Sequence, residues 1–292
     1  MKVYDENYSW RRVIRDDLLQ QWPDDIMLVD IAQLESCRLP MNKVIVVSDK
    51  TSTKDVLMAL NALGVRQVVQ LSNPKVNSSI QLSAHMISKL DEVMATPVEI
   101  LFSSQGIPFQ IERFPFRSSK QKTDTLKQVE TYITTFVKSS QVITNIHTIA
   151  DELYTNAIFH APVDSQGRHR NSKTRRNAMI ELDPDASAEM IVAHNEQILF
   201  IGCTDSYGSL SLNSVMGRLT TCIEKGVGQA INLGEGGSGI GCFLVLENAS
   251  SFIILVHPGK KTVMGGLIHY TLSERLRATI PKNMHIGIAS EV

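Results

Sequence analysis

The sequence predicts an α/β protein in two parts: a short unit with a parallel sheet built on a βαβ motif, then a unit with helices on one face of a mixed sheet. Short runs rich in Val and Ile alternate with helical patterns in the first hundred residues, which is typical of buried parallel strands. Two long helical patterns then precede a series of strands that ends in a hairpin. The chain of 292 residues is long enough for two domains.

The first unit contains three apolar runs that are bounded by polar or turn residues and predicted to be strands, at 26–31, 43–49 and 66–72. Between the last two, residues 52–64 have Ser52 or Thr53 as an N-cap, an apolar stripe and Gly64 as a C-cap, which predicts a helix. Another helix is predicted at 79–95. Strand, helix and strand together predict a βαβ unit.

The predicted domains are 1–96 and 122–292, and the connector between them is 97–121, where Pro, Gly and Ser mix with extended patches. The second domain opens with helices at 123–139 and 141–161, and Pro162 ends the second one. The polar and basic segment 163–177 has no periodicity and predicts an exposed insertion. The later predicted elements are strands at 178–183, 188–197 and 198–205 with a turn at Asn195-Glu196, helices at 211–225 and 241–250, and a hairpin formed by 251–259 and 264–272.

Composition limits the function classes. Lys and Arg total 29 against 30 for Asp and Glu, so no global field attracts nucleic acid or an anionic membrane. The N-terminus has no apolar signal segment, and the longest apolar runs, such as 252–256, are too short to cross a bilayer. Four widely spaced cysteines fit free thiols in a reducing compartment. We therefore expect a cytoplasmic protein without a membrane partner.

Glycine is concentrated in GEGGSG at 234–239, which matches G-x-G-x-x-G. A dinucleotide site is disfavoured, because no apolar strand precedes the motif and no acidic residue ends the next strand. PGKKT at 258–262 lacks the upstream glycine spacing of a P-loop. The glycines instead open an apolar helix whose N-terminal amides suit a polyphosphate. The alternative is a flexible surface loop before an ordinary helix cap.

A polar stripe lies in DELYTNAIFHAP at 151–162, where Glu152, Asn156 and His160 are spaced by four and share one helical face. Alone, such a stripe is usually a solvated edge. It is followed in chain order by IGCTDSYGS at 201–209 and GGSGIGCFLV at 236–245. With these three motifs the sequence, over about 122–275, resembles the GHKL ATPase superfamily. Its Bergerat fold is shared by sensor histidine kinases, gyrase-type ATPases and anti-sigma-factor serine kinases.

The resemblance implies ATP and Mg²⁺ as ligands and gives roles to single residues. Asn156 would be the Mg²⁺ ligand, since this ion prefers oxygen donors, and Glu152 would be the general base. His160 would lie near the phosphates, or else be a partly buried histidine or a helix C-terminal charge. Asp205 would accept the adenine amino group. The glycines implied in nucleotide binding are Gly208, Gly236, Gly237, Gly239 and Gly241.

The chain departs from the family pattern at two places. The usual D-x-G-x-G is Asp-Ser-Tyr-Gly-Ser here, with Tyr207 in place of the first glycine, so the loop beneath the adenine is expected to take a different course. Sensor histidine kinases also present a phosphoacceptor histidine before this domain. His147 lies inside the N-box helix itself and is followed by Thr148. The domain therefore resembles stand-alone kinases of the anti-sigma type.

The first domain resembles the latter half of a receiver domain. In this interpretation Asp30 is the possible phosphoacceptor, Ser48 is the hydroxyl residue of the next strand, and Asn73 replaces a lysine. Only Asp5 and Glu6 could serve as the acidic pair. The resemblance implies a pseudo-receiver used for docking or dimerisation, or a working phosphorylation switch.

The leading hypothesis is a cytoplasmic signalling protein of bacterial type, expected to be a homodimer, which binds Mg²⁺-ATP and phosphorylates a regulatory protein partner. The alternative is a catalytically inactive module that senses nucleotide or sequesters a partner. A third hypothesis takes the basic residues at 168–176 as a nucleic-acid patch. That segment has no interleaved aromatic residues, which disfavours this hypothesis.

Overall fold

The computed structural model describes residues 2–3, 20, 22–23, 25–36, 40–48, 56–57, 64–73, 75–103, 108–172, 174–225 and 240–289. The strands in these ranges are β1 (Lys2–Val3), β2 (Met27–Asp30), β3 (Val44–Ser48), β4 (Gln67–Gln70), β5 (Gln110–Phe116), β6 (Ala188–His194), β7 (Leu199–Asp205), β8 (Ser251–His257), β9 (Lys261–Ile268) and β10 (Asn283–Ile288). The helices are α1 (Val76–Ser88), α2 (Leu90–Ala95), α3 (Pro97–Ser103), α4 (Lys122–Ile133), α5 (Ser140–Thr155), α6 (Leu212–Lys225), α7 (Ile240–Asn248) and α8 (Glu274–Thr279).

Within the described ranges the ten strands form one mixed sheet, in the order β1-β2-β3-β4-β10-β8-β9-β7-β6-β5. Strands β1 to β4 are parallel neighbours, while β5, β6, β7, β9 and β8 are joined by antiparallel pairing. Strand β10 connects the two parts, because it runs antiparallel to β4 and parallel to β8. The predicted mixed α/β class is therefore confirmed.

Most of the predicted elements are present. The three apolar runs of the first unit form β2, β3 and β4, and all residues of β3 and β4 are buried. Most of the helix predicted at 52–64 lies outside the described residues. The helix predicted at 79–95 is divided into α1 and α2 at Lys89, whose φ of −140° is not helical. Strand β10 and helix α8 were not predicted, because no apolar run as long as those of the other strands marks the end of the chain.

The helices predicted in the second unit pack on one face of its sheet, but helices of the preceding segment cover the other face, which was not predicted. One face packs against α4, α5 and α7, which contribute Val129, Leu153 and Val245 to the same apolar cluster as β7 and β8. On the other face, Leu101 and Phe102 of α3 lie in a cluster with residues of β6 to β9, together with side chains of α1 and α2. The apolar residues of β8 run without alternation because both of its faces are buried.

Two predicted segments differ in structure. The predicted connector, 97–121, contains α3 and the edge strand β5, which pairs antiparallel with β6. The strand predicted at 178–183 is absent from the described residues, where Glu181 makes only an isolated bridge with Ser118. Residues 165–170 and 174–177 of the predicted insertion are exposed, as expected. No helix in the part of the chain described here has the length and apolar character needed to cross a membrane.

Candidate functional site

A cavity of about 270 Å³ lies between α5, α6 and the strands β7 and β9. Asn156 and His160 line it from the end of the N-box helix, and Asp205 lines it from the end of β7. Three of the residues that the sequence analysis selected are thus brought together in one cavity. Further lining comes from Thr262, Arg218 and Cys242.

Helix α5 and the turn that continues it position Asn156 and His160. Ser139 caps the N-terminus of α5, because the Ser139 hydroxyl accepts a hydrogen bond from the Val142 amide at 3.4 Å. The apolar face of the helix is buried against the sheet. Residues Asn156–His160 continue it as a π-helical turn, in which the Ala161 amide donates to the Asn156 carbonyl at 2.9 Å. Such π turns are rare and occur frequently at functional sites.

Glu152 does not line the cavity, but adjoins it beside the first turn of α7. A Cβ placed on Gly241 would lie 3.0 Å from both the Cβ and Oε2 of Glu152, and 3.5 Å from Nδ2 of Asn156. Glycine at this position therefore allows the start of α7 to approach α5 closely. The sequence analysis assigned Gly241 to nucleotide binding, and this contact places it beside Glu152 and Asn156.

The carboxylate of Glu152 is poorly solvated. Its Oε2 is buried and has no hydrogen-bond partner among the described residues, and its Oε1 lies 3.8 Å from Nη1 of Arg176. Burial raises the pKa of Glu152, and the positive charge of Arg176 opposes that shift. A carboxylate in this state is a candidate proton acceptor.

Asp205 ends β7 directly opposite Thr262 of β9. Its Oδ1 accepts hydrogen bonds from the backbone amides of Tyr207 at 2.9 Å and Gly208 at 3.4 Å. Burial raises the pKa of Asp205 to about 6, although these two amides act in the opposite direction. At neutral pH the group is therefore an ionised acceptor in a partly apolar cavity.

The loop after Asp205 shows how the missing glycine is accommodated. The hydroxyl of Tyr207 donates to Oδ2 of Asp183 at 3.1 Å, and that carboxylate also pairs with Arg170. Gly208 has a φ of +60°, and a Cβ there would lie 2.0 Å from the carbonyl oxygen of His257. Gly208 therefore fixes the loop against the turn between β8 and β9, and only glycine fits at this point.

His160 is uncharged at neutral pH. Burial lowers its pKa to about 4, and the nearby charges of Arg218, Arg176 and His169 act in the same direction. A neutral imidazole can donate or accept a hydrogen bond in the cavity, but it adds no positive charge for a phosphate.

Several residues that line the cavity were not predicted from the sequence. Thr262 was considered only within a rejected P-loop, and its place became visible only through its pairing with Asp205. Arg218 belongs to a predicted helix whose direction in space the sequence did not give. His169 and Ser172 line the cavity from the predicted insertion, and no pattern in the sequence indicated this.

The other predicted site residues either lie outside the described residues or lie elsewhere in the sheet. Gly236, Gly237 and Gly239 lie outside the described residues, as do Asp5 and Glu6. Asp30 ends β2, six strand positions from β7 in the sheet order, which corresponds to roughly 30 Å at the usual strand spacing. Its Oδ1 accepts a hydrogen bond from the Ala32 amide at 2.8 Å.

Asn73, at the position of the receiver lysine, is buried and hydrogen-bonded to the backbone. Its Nδ2 donates to the carbonyl oxygens of Pro281 at 3.0 Å and Ser250 at 3.5 Å, and its Oδ1 accepts from the Lys75 amide at 2.9 Å. This side chain therefore joins the first part of the chain to the second.

No model of a known protein family matches this chain, and a search of curated proteins finds no match. In the described residues, no group of three or more His, Cys, Asp or Glu side chains is arranged to hold a metal ion.

Proposed function

We propose that the cavity binds Mg²⁺-ATP in a Bergerat-type fold, and that the protein transfers the terminal phosphate to a regulatory protein partner. One observation carries the proposal: Asp205 and Asn156, which the resemblance assigns to adenine and to the metal, line the same cavity of about 270 Å³. These residues are 49 positions apart in the sequence. Their proximity therefore depends on the fold and does not follow from the spacing within one motif.

Asp205 and Thr262 would recognise the base. An ionised carboxylate accepts a hydrogen bond from the amino group of adenine, whereas the carbonyl group of guanine at the same position would face it with another acceptor. The cavity is buried enough to raise the pKa of Asp205. A hydrogen bond to a charged group contributes more binding free energy when water is excluded. We therefore expect preference for adenine.

Asn156 and the start of α7 would receive the phosphates. The amide oxygen of Asn156 is a suitable ligand for Mg²⁺, which when bound would neutralise phosphate charge. The cavity is near the lower limit of small-molecule sites, about 300 Å³, so the phosphates would extend past Asn156 toward Gly241. There the helix N-terminus offers backbone amides and the positive end of its dipole.

Glu152 would then accept the proton of the attacking hydroxyl group. Its buried Oε2 has no partner among the described residues, and its raised pKa favours proton acceptance over permanent ionisation. The reaction would otherwise depend on positioning and electrostatic stabilisation, as phosphoryl transfer generally does.

A second candidate function is nucleotide sensing without catalysis. It is favoured by one observation, that Glu152 lies outside the cavity lining and close to Arg176. In either case we propose that the receiver-like part, whose Asn73 is held by backbone contacts, serves docking or dimerisation in a cytoplasmic protein.

Binding of ATP, measured by calorimetry with and without Mg²⁺, tests the proposal. We expect Mg²⁺ to strengthen binding to the natural protein, and Asn156→Ala to remove most of that gain. Asn145→Ala is the matched control, because Asn145 lies on the same helix but bonds Gln141. If ATP does not bind at high micromolar concentration, or if both variants behave alike, the proposal is wrong. Transfer of radiolabelled phosphate to a partner that is lost in Glu152→Gln would separate the kinase from the sensor.

A further inference from the structure

A loop formed by residues 163–172 lies at the edge of the cavity. It is closed where the Arg170 amide donates a hydrogen bond to the Pro162 carbonyl at 3.0 Å. The loop contributes two residues to the cavity lining, His169, which is exposed, and Ser172, which is half-buried. We call these two residues the outer wall of the cavity.

Arg170 holds the outer wall in place. Its neighbour His169 forms an isolated antiparallel bridge with Val163, and successive side chains of an extended backbone lie on opposite sides of it. His169 lines the cavity, whereas Arg170 binds Asp183: Nη1 donates to Oδ1 at 3.0 Å, and Nη2 donates to Oδ2. A bidentate pair of this kind fixes the orientation of both groups as well as stabilising the contact.

Asp183 is in turn fixed to the body of the protein. Its carbonyl oxygen accepts a hydrogen bond from Nη2 of Arg117 at 2.6 Å, and its carboxylate accepts one from the hydroxyl of Tyr207 at 3.1 Å. The backbone amide of Tyr207 donates to Oδ1 of Asp205 at 2.9 Å. A continuous chain of contacts therefore joins Asp205, which lines the cavity, to the loop that forms the outer wall.

Tyr207 is the central residue of this chain, and its side chain is buried. It uses two separate groups: the amide binds Asp205, and the hydroxyl binds Asp183. Glycine, which the sequence pattern implies at this position, would offer the amide but no hydroxyl. Tyrosine therefore adds a connection between the strand end at Asp205 and the loop, which a glycine would not make.

We propose that Tyr207 is a positioning residue that couples the nucleotide cavity to its outer wall. This inference rests on the proposed function. A nucleotide bound at Asp205 fixes the turn that contains Tyr207. Through the Tyr207 hydroxyl, Asp183 and Arg170, this turn keeps the outer wall beside the nucleotide and slows its release. Without the hydroxyl the wall moves independently of Asp205, so the nucleotide leaves faster, while the choice of base is unchanged.

The first test measures the dissociation rate of a fluorescent ATP analogue with Mg²⁺ by stopped flow. We expect Tyr207→Phe to release the nucleotide about fivefold faster, the size of effect that one hydrogen bond has. Tyr270→Phe is the matched control and should leave the rate unchanged, because its hydroxyl donates to the Asn195 carbonyl at 2.7 Å and Tyr270 does not line the cavity. Equal rates in all three proteins, or equal acceleration in both variants, would overturn the coupling.

The choice of base separates this coupling from a defect in Asp205 itself. The amide that binds Asp205 is retained in Tyr207→Phe, so the ratio of the affinities for ATP and inosine triphosphate should equal that of the natural protein. Inosine triphosphate has a carbonyl group in place of the adenine amino group and tests the acceptor at Asp205. A lower ratio in Tyr207→Phe would mean that Tyr207 acts on Asp205 alone and would contradict the coupling.

The second test is a double-mutant cycle with Arg170→Ala. If Arg170 and Tyr207 act through the same chain, Arg170→Ala should also accelerate release, and the double variant should release the nucleotide no faster than the faster single variant. Arg168→Ala is the control: it removes the same charge from the loop, but its partner Asp164 belongs to the loop itself, so the rate should not change. Rates that multiply in the double variant would contradict the proposal. Melting temperatures show whether the variants fold, and Arg170→Ala alone tests the chain if Tyr207→Phe does not.

These outcomes separate the two levels of inference. If the natural protein binds no ATP, the proposed function is wrong and the coupling is wrong with it. If the natural protein binds ATP and loses affinity in Asn156→Ala, but Tyr207→Phe and Arg170→Ala release the nucleotide at the natural rate, only the coupling is wrong.

Discussion

Asp30 ends β2 in the parallel part of the sheet, and Asp205 ends β7 in the antiparallel part. Both accept hydrogen bonds from backbone amides that follow them, Asp30 from Ala32 and Asp205 from Tyr207. Asp205 also lines a cavity with other polar side chains. Near the ends of β3 and β4 the polar side chain of Asn73 is instead bound to backbone atoms of the second part.

The difference separates polar residues that hold the fold from those available to a ligand. Asn73 uses both ends of its amide inside the protein, so little of it remains for binding. Asp205 keeps a raised pKa despite two amide donors, which means that burial is not fully compensated by the protein itself. We therefore propose that the ligand site lies at the end of β7, whereas Asn73 after β4 forms a structural junction.

The largest effect is expected for Gly208→Ala. Its Cβ would lie 2.0 Å from the carbonyl oxygen of His257, and the φ of +60° is strained for alanine, so we expect a loss of more than about 3 kcal/mol in the free energy of unfolding. Gly64 also has a positive φ, +69°, but open space around it, and its alanine variant should lose about 1 kcal/mol. Urea unfolding measures both; similar losses would contradict the close fit of the loop.

The next effect is on nucleotide affinity. Asp205→Asn keeps the oxygen that accepts the Tyr207 amide but removes the charge, and we expect ATP to bind about 100-fold more weakly, near the upper end of a charged hydrogen bond. Asp30→Asn is the matched substitution at the other strand end and should leave ATP affinity unchanged. Calorimetric titration checks both; a loss of affinity in Asp30→Asn would place part of the site in the parallel sheet.

Asp205 should also make the ligand-free protein less stable at neutral pH. Its pKa rises from the ordinary value of about 3.9 to about 6 in the folded state. The folded state then binds more protons between these values, so stability falls as pH rises from about 4 to 6 and stays reduced above that. We expect Asp205→Asn to be more stable than the natural protein by up to about 3 kcal/mol at pH 7.

Denaturant unfolding at pH 4 and pH 7 measures this dependence. The advantage of Asp205→Asn should nearly disappear at pH 4, where the natural carboxyl group is protonated. If Asp205→Asn is more stable by the same amount at both pH values, burial does not destabilise the ionised form of Asp205.

A smaller effect on stability is expected at the junction. Asn73→Ala removes hydrogen bonds to Pro281 and Lys75 in a buried place, and should cost about 1 to 2 kcal/mol. Asn156→Ala should cost less than about 0.5 kcal/mol, because that side chain lines a cavity. Thermal unfolding compares them. A larger loss of stability in Asn156→Ala than in Asn73→Ala would contradict the structural role of Asn73 and the ligand role of Asn156.

Most elements whose apolar residues follow one clear pattern, either a continuous run or a helical repeat, were predicted from the sequence. The runs that form β3, β7 and β8 and the stripe of α5 were found because burial repeats along them. Strand β10, which lies between β4 and β8, was missed because its residues form no apolar run as long as those of the other strands. The second covered face of the sheet was missed for a similar reason. Helix α3 lies in a segment rich in turn residues, and it packs on strands that follow much later in the chain, β6 to β9.

The candidate site was partly predictable. The spacing of Glu152, Asn156 and His160 and the strand end at Asp205 indicated a site, because these signals are local. The contributions of Thr262, Arg218 and the insertion depend on how distant elements meet, and no single stretch of sequence contains that information. The π-helical turn after α5 was likewise not visible in the spacing.

Stabilisation of the natural protein by nucleotides tests the central claim most directly. ATP with Mg²⁺ at about 100 times its dissociation constant should add about 2.7 kcal/mol to the free energy of unfolding and raise the melting temperature by about 5 °C. GTP at the same concentration should give little shift, and omission of Mg²⁺ should reduce the shift with ATP. Equal shifts with ATP and GTP, or no shift with either, would contradict an adenine nucleotide site formed by Asp205 and Asn156.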